Sequence, residues 1–187
     1  MPTQLRTGRT GLAAALITAS LLLAAPAAAQ TGGTALPGEE EPTSSTPQKA
    51  KLTSTGKAIP PPNAPARVVR AIQAGNRIRK QPYLYGGGHA SWESTGYDCS
   101  GAVSYVLHAA RVLKTPLASG GLMRWGKKGK GSWITVYANP SHAYAVIAGL
   151  RWDTSAVNEP YNSGSGPRWR RTKRSPTGYK VRHWRKL

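Results

Sequence analysis

Between Cys99 and Leu113 the apolar residues Cys99, Ala102, Val103, Val106, Leu107, Ala110 and Leu113 each stand three or four positions from another. This spacing gathers them on one stripe of an α-helix, and so continuous a stripe needs a second layer of structure to cover it. Ser100, Ser104, His108 and Arg111 fall on the opposite side and are expected to face water. Asp98 stands at the N-cap position, where its carboxylate can accept from the free amides of the first turn.

Cys99 is the only cysteine among 187 residues. At the N-terminus, Arg6 and Arg9 precede an apolar run from Leu12 to Ala25 and the small residues Ala27, Ala28 and Ala29. We read residues 1–29 as a secretory signal peptide cleaved after Ala29, because the run falls short of the roughly 20 apolar residues that span a bilayer. No transmembrane segment is expected after cleavage. Exported domains often rely on disulfides, but a single cysteine cannot bridge within its own chain. Its alternatives are an intermolecular bond, a reactive thiol or an inert buried side chain.

Residues 30–65 are rich in Thr, Ser, Pro and Gly, carry Glu39, Glu40 and Glu41, and end at Pro60-Pro61-Pro62. With so few large apolar groups this stretch is expected to be a disordered linker. The remainder, 66–187, is sized for one domain, expected to be monomeric. Lys and Arg number 26 against 7 acidic residues, a formal net charge of +19. The segment GPRWRRTKRSPTGYKVRHWRKL holds nine of the cations and no carboxylate. Such charge implies a polyanionic partner, and for an exported protein the nearest are anionic cell-wall polymers. Trp169 and Trp184, set among arginines, also suit stacking on bases, although no dedicated nucleic acid partner is expected. A solvated basic surface is the plainer alternative.

RVVRAIQAGNRIRK places Val68, Val69, Ala71, Ile72 and Ile78 near helical spacing, opposite Arg67, Arg70, Gln73 and Arg77. Gln81-Pro82 stops that helix, and YLYGGGHASWESTG reads as a glycine-hinged loop. Strands are expected at Trp133 to Tyr137, His142 to Ala148 and Leu150 to Thr154. Helices followed by an antiparallel sheet make an α+β domain.

The helix start favours the thiolate of Cys99, the nucleophilic form. A nucleophile also needs a base in hydrogen-bonding reach, and the histidines are His89, His108, His142 and His183. His108 is nine residues along the same helix, which turns it about 900° and carries it roughly 13 Å from Cys99. His89 lies in the glycine loop and His183 in the basic segment, neither with an evident orienting partner. His142 opens a strand, a rigid mount, and ranks first. A third polar group should orient the imidazole. If Gly149 sits in a two-residue hairpin turn, Asp153 points to the side of His142 and Tyr144; a three-residue loop reverses the parity and favours Thr154.

PYLYGGGHASWESTGYDCSGAVSYVL, Pro82 to Leu107, resembles the signature of the NlpC-type papain-like cell-wall peptidases, in which a Pro-Tyr-x-Trp/Tyr-Gly-Gly segment precedes a Gly-Tyr/Phe-Asp-Cys-Ser-Gly helix start. HAYAVIAG, from His142, resembles the histidine strand of that family, and the likeness spans roughly Val68 to Thr154. It implies a papain-like NlpC-type α+β fold with Cys99 as nucleophile, His142 as general base and Asp153 as the polar third residue. It also implies that Tyr83, Asp98 and Ser100 contact the substrate, a peptidoglycan stem peptide cut at an amide bond, and that no metal or organic cofactor takes part.

This chain departs from the pattern in three ways. GSWITVYANPSH replaces the usual Gly-Asp strand start, the bulky Tyr144 stands where a small residue is common, and Asp153 replaces the more frequent His, Asn or Gln. The leading expectation is a secreted, wall-associated cysteine peptidase. The alternatives are a wall-binding module of the same fold without turnover, and a cationic binder acting through the basic segment alone.

Overall fold

The computed structural model describes residues 48–159, 164–185 and 187; the expected signal peptide and the first part of the expected linker lie outside them. The described residues open with a ribbon of β1 (Lys51–Leu52) and β2 (Ala58–Ile59) and continue through α1 (Ala66–Ile78), α2 (Cys99–Ala109) and the single turn α3 (Ser119–Leu122). Then come β3 (Lys127–Lys128), β4 (Ile134–Ala138), β5 (Ala143–Ile147), β6 (Leu150–Asp153), β7 (Arg168–Arg170) and β8 (Lys180–His183). The last six strands form one antiparallel sheet in the order β3-β8-β4-β5-β6-β7. The fold is α+β, with the helices packed on the sheet.

Both expected helices form where their apolar stripes begin. Val68, Ala71, Ile72 and Ile78 of α1 are buried, as are Ala102, Val103, Val106 and Leu107 of α2. The two helices pack on one another, and α2 also lies on β5 and β6. There Trp152 Nε1 donates to the Ala102 carbonyl at 2.9 Å. Arg67 Nη1 reaches the carbonyls of Ala110 and Arg111 at 3.2 and 2.9 Å, satisfying acceptors at the end of α2.

Three expectations are corrected. Ser100 and Ser104 are buried rather than facing water, because each has polar partners inside. Ser104 Oγ donates to the Leu117 carbonyl and accepts from the Leu117 amide, so the connection after α2 covers that side of the helix. Residues 48–65, the end of the expected linker, are ordered. Ala58 is buried, its N–H and C=O are both bonded by the Asn76 side chain on α1, and the Ala50 amide donates to the Ala148 carbonyl. Finally, the basic C-terminal segment is woven into the sheet: β7 closes one edge, and β8 sits between β3 and β4. Arg170 is buried, Trp169 Nε1 donates to Asn76 Oδ1, and the Trp169 ring lies 4.7 Å from that of Trp152.

Trp169 reaches Asn76 because α1 carries glycine at position 75. A β-carbon there would lie 2.5 Å from Trp169 Cζ2. Gly75→Ala is therefore expected to destabilise the domain by about 1–3 kcal/mol in urea unfolding through overpacking. Gly120→Ala, with nothing within 4 Å of its β-carbon, serves as the neutral comparison.

Candidate active site

The glycine loop is fastened to the start of α2 by one carboxylate. Asp98 Oδ1 caps the helix by accepting from the Gly101 amide at 2.7 Å and also accepts from Ser100 Oγ at 3.0 Å. Its other oxygen accepts from the Gly86 amide at 3.1 Å, across the loop. His89 Nε2 lies 3.0 Å from Asp98 Oδ1 and 3.2 Å from Ser100 Oγ. Glycine is required where loop and helix touch, since a β-carbon on Gly101 would stand 2.1 Å from the Gly87 carbonyl oxygen. Cys99, in the first turn, is a free thiol with 8% of its surface exposed.

The β5–β6 ribbon delivers the other half. Ile147 pairs with Leu150, so the turn is Ala148-Gly149, with φ of 45° and 81°. Positive φ at both central positions is the two-residue turn whose twist matches the strands. Continuing that register sets Tyr144 opposite Asp153, and His142 and Asp153 meet: His142 Nε2 lies 2.9 Å from Asp153 Oδ1. Asn139 Oδ1 accepts from the His142 amide at 2.8 Å and fixes the backbone where the strand begins.

The Asp153 side chain is fully buried and has a donor on every side. Oδ1 also accepts from the Ser155 amide at 2.9 Å, while Oδ2 lies 3.3 Å from Arg151 Nε and 3.2 Å from Arg174 Nη1. Burial alone would raise this carboxyl. The hydrogen bond and charge of His142, the Ser155 amide and the Arg174 charge outweigh burial and hold it below its ordinary value.

Cys99 is near enough to His142 for its thiol to act on the imidazole. With Nε2 engaged by Asp153, Nδ1 is the ring nitrogen left for the thiol. Burial opposes the charged imidazole, but the hydrogen bonds and charges of Asp153 and Cys99 prevail and raise His142 from its ordinary 6.5 to about 9. Tyr83, paired with Tyr97 in an isolated bridge, is half-exposed beside the thiol; burial, then the charges of Cys99 and Asp98, raise its hydroxyl.

The structure joins His142 to Asp153, and Cys99 is near enough to act on both His142 and Tyr83. Asp98 and Ser100 adjoin them, but both are buried with their side-chain oxygens turned to the loop and the helix. His89 has orienting partners after all, because the glycine loop folds back over the helix start. His108 is exposed; its Nδ1 lies 3.0 Å from the Leu113 carbonyl, and its ring stacks on Trp92 at 4.1 Å. His183 lies on β8 with Nδ1 3.2 Å from the Gly129 carbonyl. Tyr144 does not stand open to solvent: it is 1% exposed and stacked on Tyr137 at 4.6 Å.

Sequence reasoning missed Arg151 and Arg174. Arg151 follows the turn at a position alternating with Asp153, a signal that was available. Arg174 lies in the connection between β7 and β8, where no pattern marks it. Among the described residues, no group of three or more His, Cys, Asp and Glu side chains could hold a metal, and no helix is long and apolar enough to cross a membrane.

No family model and no curated protein matches the chain. Among solved structures it is similar to a hypothetical invasion protein of Mycobacterium tuberculosis, at 23% identity over 62% of this chain and 61% of that one, with a TM-score of 0.45. It is also similar to the peptidoglycan hydrolase RipB of Mycobacterium tuberculosis, at 22% identity over 67% and 68% of the two chains, with a TM-score of 0.46. A mutant of the resuscitation promoting factor interacting protein RipA gives 20% identity over 73% and 72%, with a TM-score of 0.45. The chain spans less than two thirds of the first of these. The functional reading below rests on the site's own residues.

Because His142 is raised, its contribution to stability is complete below about pH 6.5 and is lost as pH climbs through about 9. Asp153, being lowered, contributes above its ordinary value near 3.8 and loses that contribution in acid. Asp153→Asn is expected to bring the His142 midpoint from about 9 back towards 6.5 in an imidazole NMR titration. It should also remove the stability lost between those pH values in denaturant melts.

Proposed function

We propose that the chain is an exported, wall-associated cysteine peptidase that hydrolyses amide bonds in peptidoglycan stem peptides. The observation that carries this reading is the coincidence of two independent features. The Asp-Cys-Ser-Gly motif opens a helix, and the hairpin parity sets Asp153 against an imidazole on which the thiol of that helix acts.

At neutral pH the raised His142 carries a proton that it can later donate. The thiolate sulfur attacks the scissile carbonyl, and the oxygen that becomes negative is met by amides of Cys99 and Ser100, which have no acceptor within the helix. Imidazolium then protonates the leaving amine as the C–N bond breaks, leaving an acyl-thioester on Cys99. Neutral His142 takes a proton from water as the hydroxide adds to the thioester, and collapse of the adduct breaks the C–S bond, releasing the carboxylic acid and leaving thiolate and imidazolium on the enzyme. Tyr83 borders the thiol and contacts the stem peptide, while Asp98 and Ser100 support that wall of the site from behind. The positive surface holds the enzyme against anionic wall polymers.

Purified muropeptides incubated with the mature chain should yield new amino groups by mass spectrometry, with none from Cys99→Ala. His142→Ala should be equally inactive and His108→Ala near normal. Because the leaving amine is protonated by an imidazolium that titrates at about 9, kcat should fall as pH rises past that value. Turnover by Cys99→Ala would refute the assignment. Slow alkylation of the wild-type thiol by iodoacetamide near pH 6, together with wall binding and no cleavage, would indicate a binding module instead.

A further inference from the structure

One cation in this site has no counterpart in the motif. Arg174 comes from the connection between β7 and β8, and its Nη1 lies 3.2 Å from Asp153 Oδ2 and 3.3 Å from His142 Nε2. Aromatic rings hold the guanidinium there: its central carbon is 5.6 Å from the Tyr144 ring and 5.5 Å from the Tyr179 ring, and the two rings meet edge to face at 5.2 Å. The unusual bulk of Tyr144 therefore forms part of an arginine clamp. Two arginines flank Asp153, but Arg151 is 2% exposed and also bonds the Val157 carbonyl and Glu159, so it is tied into the sheet's packing. Arg174, at 18% exposure, serves Asp153 and His142.

We propose that Arg174 is a positioning residue that balances the charge of Asp153, so that a carboxylate can fill a place suited to a neutral side chain without locking His142 in its protonated form. This inference rests on the peptidase reading above. The physics is direct. A buried carboxylate beside an imidazole stabilises imidazolium, which helps the amine leave but hinders the next step, when neutral imidazole must take a proton from water. A guanidinium touching both partners opposes that stabilisation. Its positive charge, within 3.3 Å of Nε2, disfavours a second charge on the ring and so favours the neutral imidazole, whose Nε2–H stays on Asp153 and whose Nδ1 is free to take a proton. The other groups facing His142 are Cys99 from α2, Asp153 from β6 and the rings of Tyr144 and Tyr179. Arg151 and Glu159 act on it only through Asp153. Arg174 is the one cation in contact with the ring among the described residues.

The test is an NMR titration of His142 in the wild type, Arg174→Met and Arg174→Lys, which reads the imidazole whether or not the protein turns over substrate. Met is expected to raise the midpoint by about one pH unit, and Lys, which restores the charge, to return it most of the way. On muropeptides, Met should slow acyl-enzyme breakdown roughly tenfold at neutral pH, the neutral fraction falling tenfold per unit, so that a thioester accumulates on Cys99 in intact-mass spectra. Tyr179→Leu, which opens the clamp but leaves Asp153 its other donors, should move the midpoint the same way by a smaller amount and stands in if Met fails to fold. An unmoved midpoint in the folded Met or Leu variant, or a Lys midpoint displaced as far as that of Met, overturns the proposal. Wild type that leaves muropeptides uncut while the midpoints shift as expected upholds the role of Arg174 and refutes the peptidase reading alone.

Discussion

The buried carboxylate of Asp153 organises this molecule. A fully enclosed carboxylate is tolerable only if its lone pairs and charge are met: His142, the Ser155 amide and Arg174 bond its oxygens, and Arg151 adds a cation at 3.3 Å. They come from the start of β5, the end of β6 and the connection between β7 and β8. Satisfying one acid therefore fixes the histidine, turns the chain after β6 and draws the C-terminal cations over the sheet. Arg170 strengthens the same knot by donating to the Asp153 carbonyl at 3.3 Å. Scaffold and site are here a single hydrogen-bonded unit.

The other side of the site obeys the same logic with a different acid. Asp98 joins the glycine loop to the helix by accepting from Gly101, Ser100 and Gly86, and His89 leans on it. The thiol lies between two such knots. One is built on local backbone amides, the other on side chains distant in sequence, and the difference governs what could be read in advance.

What was legible in the sequence was local and periodic. The stripes of α1 and α2 and the Asp98 cap each follow from a few adjacent residues, whereas the turn at Gly149 was legible in place but not in length, and Asp153 rather than Thr154 follows from the two-residue turn that the structure shows. Ser100 and Ser104 defeated the helical pattern because their partners, Asp98 and Leu117, let a polar side chain be buried at no loss of hydrogen bonds. The ribbon at residues 48–59 looked like linker because its anchor is Asn76 on a later helix. The basic segment was read for its charge and gave no sign of strands, since RWR and KVRH carry too little apolar alternation to announce them. Only after folding do Trp169 and Arg170 find a tryptophan and a buried carbonyl. Arg174 owes its place to two aromatic rings and an acid, none nearer than five residues in the chain.

The ribbon at residues 48–59 also determines how the domain can be held. Its Ala50 amide bonds the carbonyl of Ala148, at the tip of the β5–β6 hairpin, whereas His142 and Asp153 occupy the open ends of the same hairpin. Six residues of extended chain separate tip from base, a span of about 20 Å. Anything that grips the molecule through this ribbon therefore pulls on the hairpin at its tip, one strand length away from the imidazole and the acid at its base.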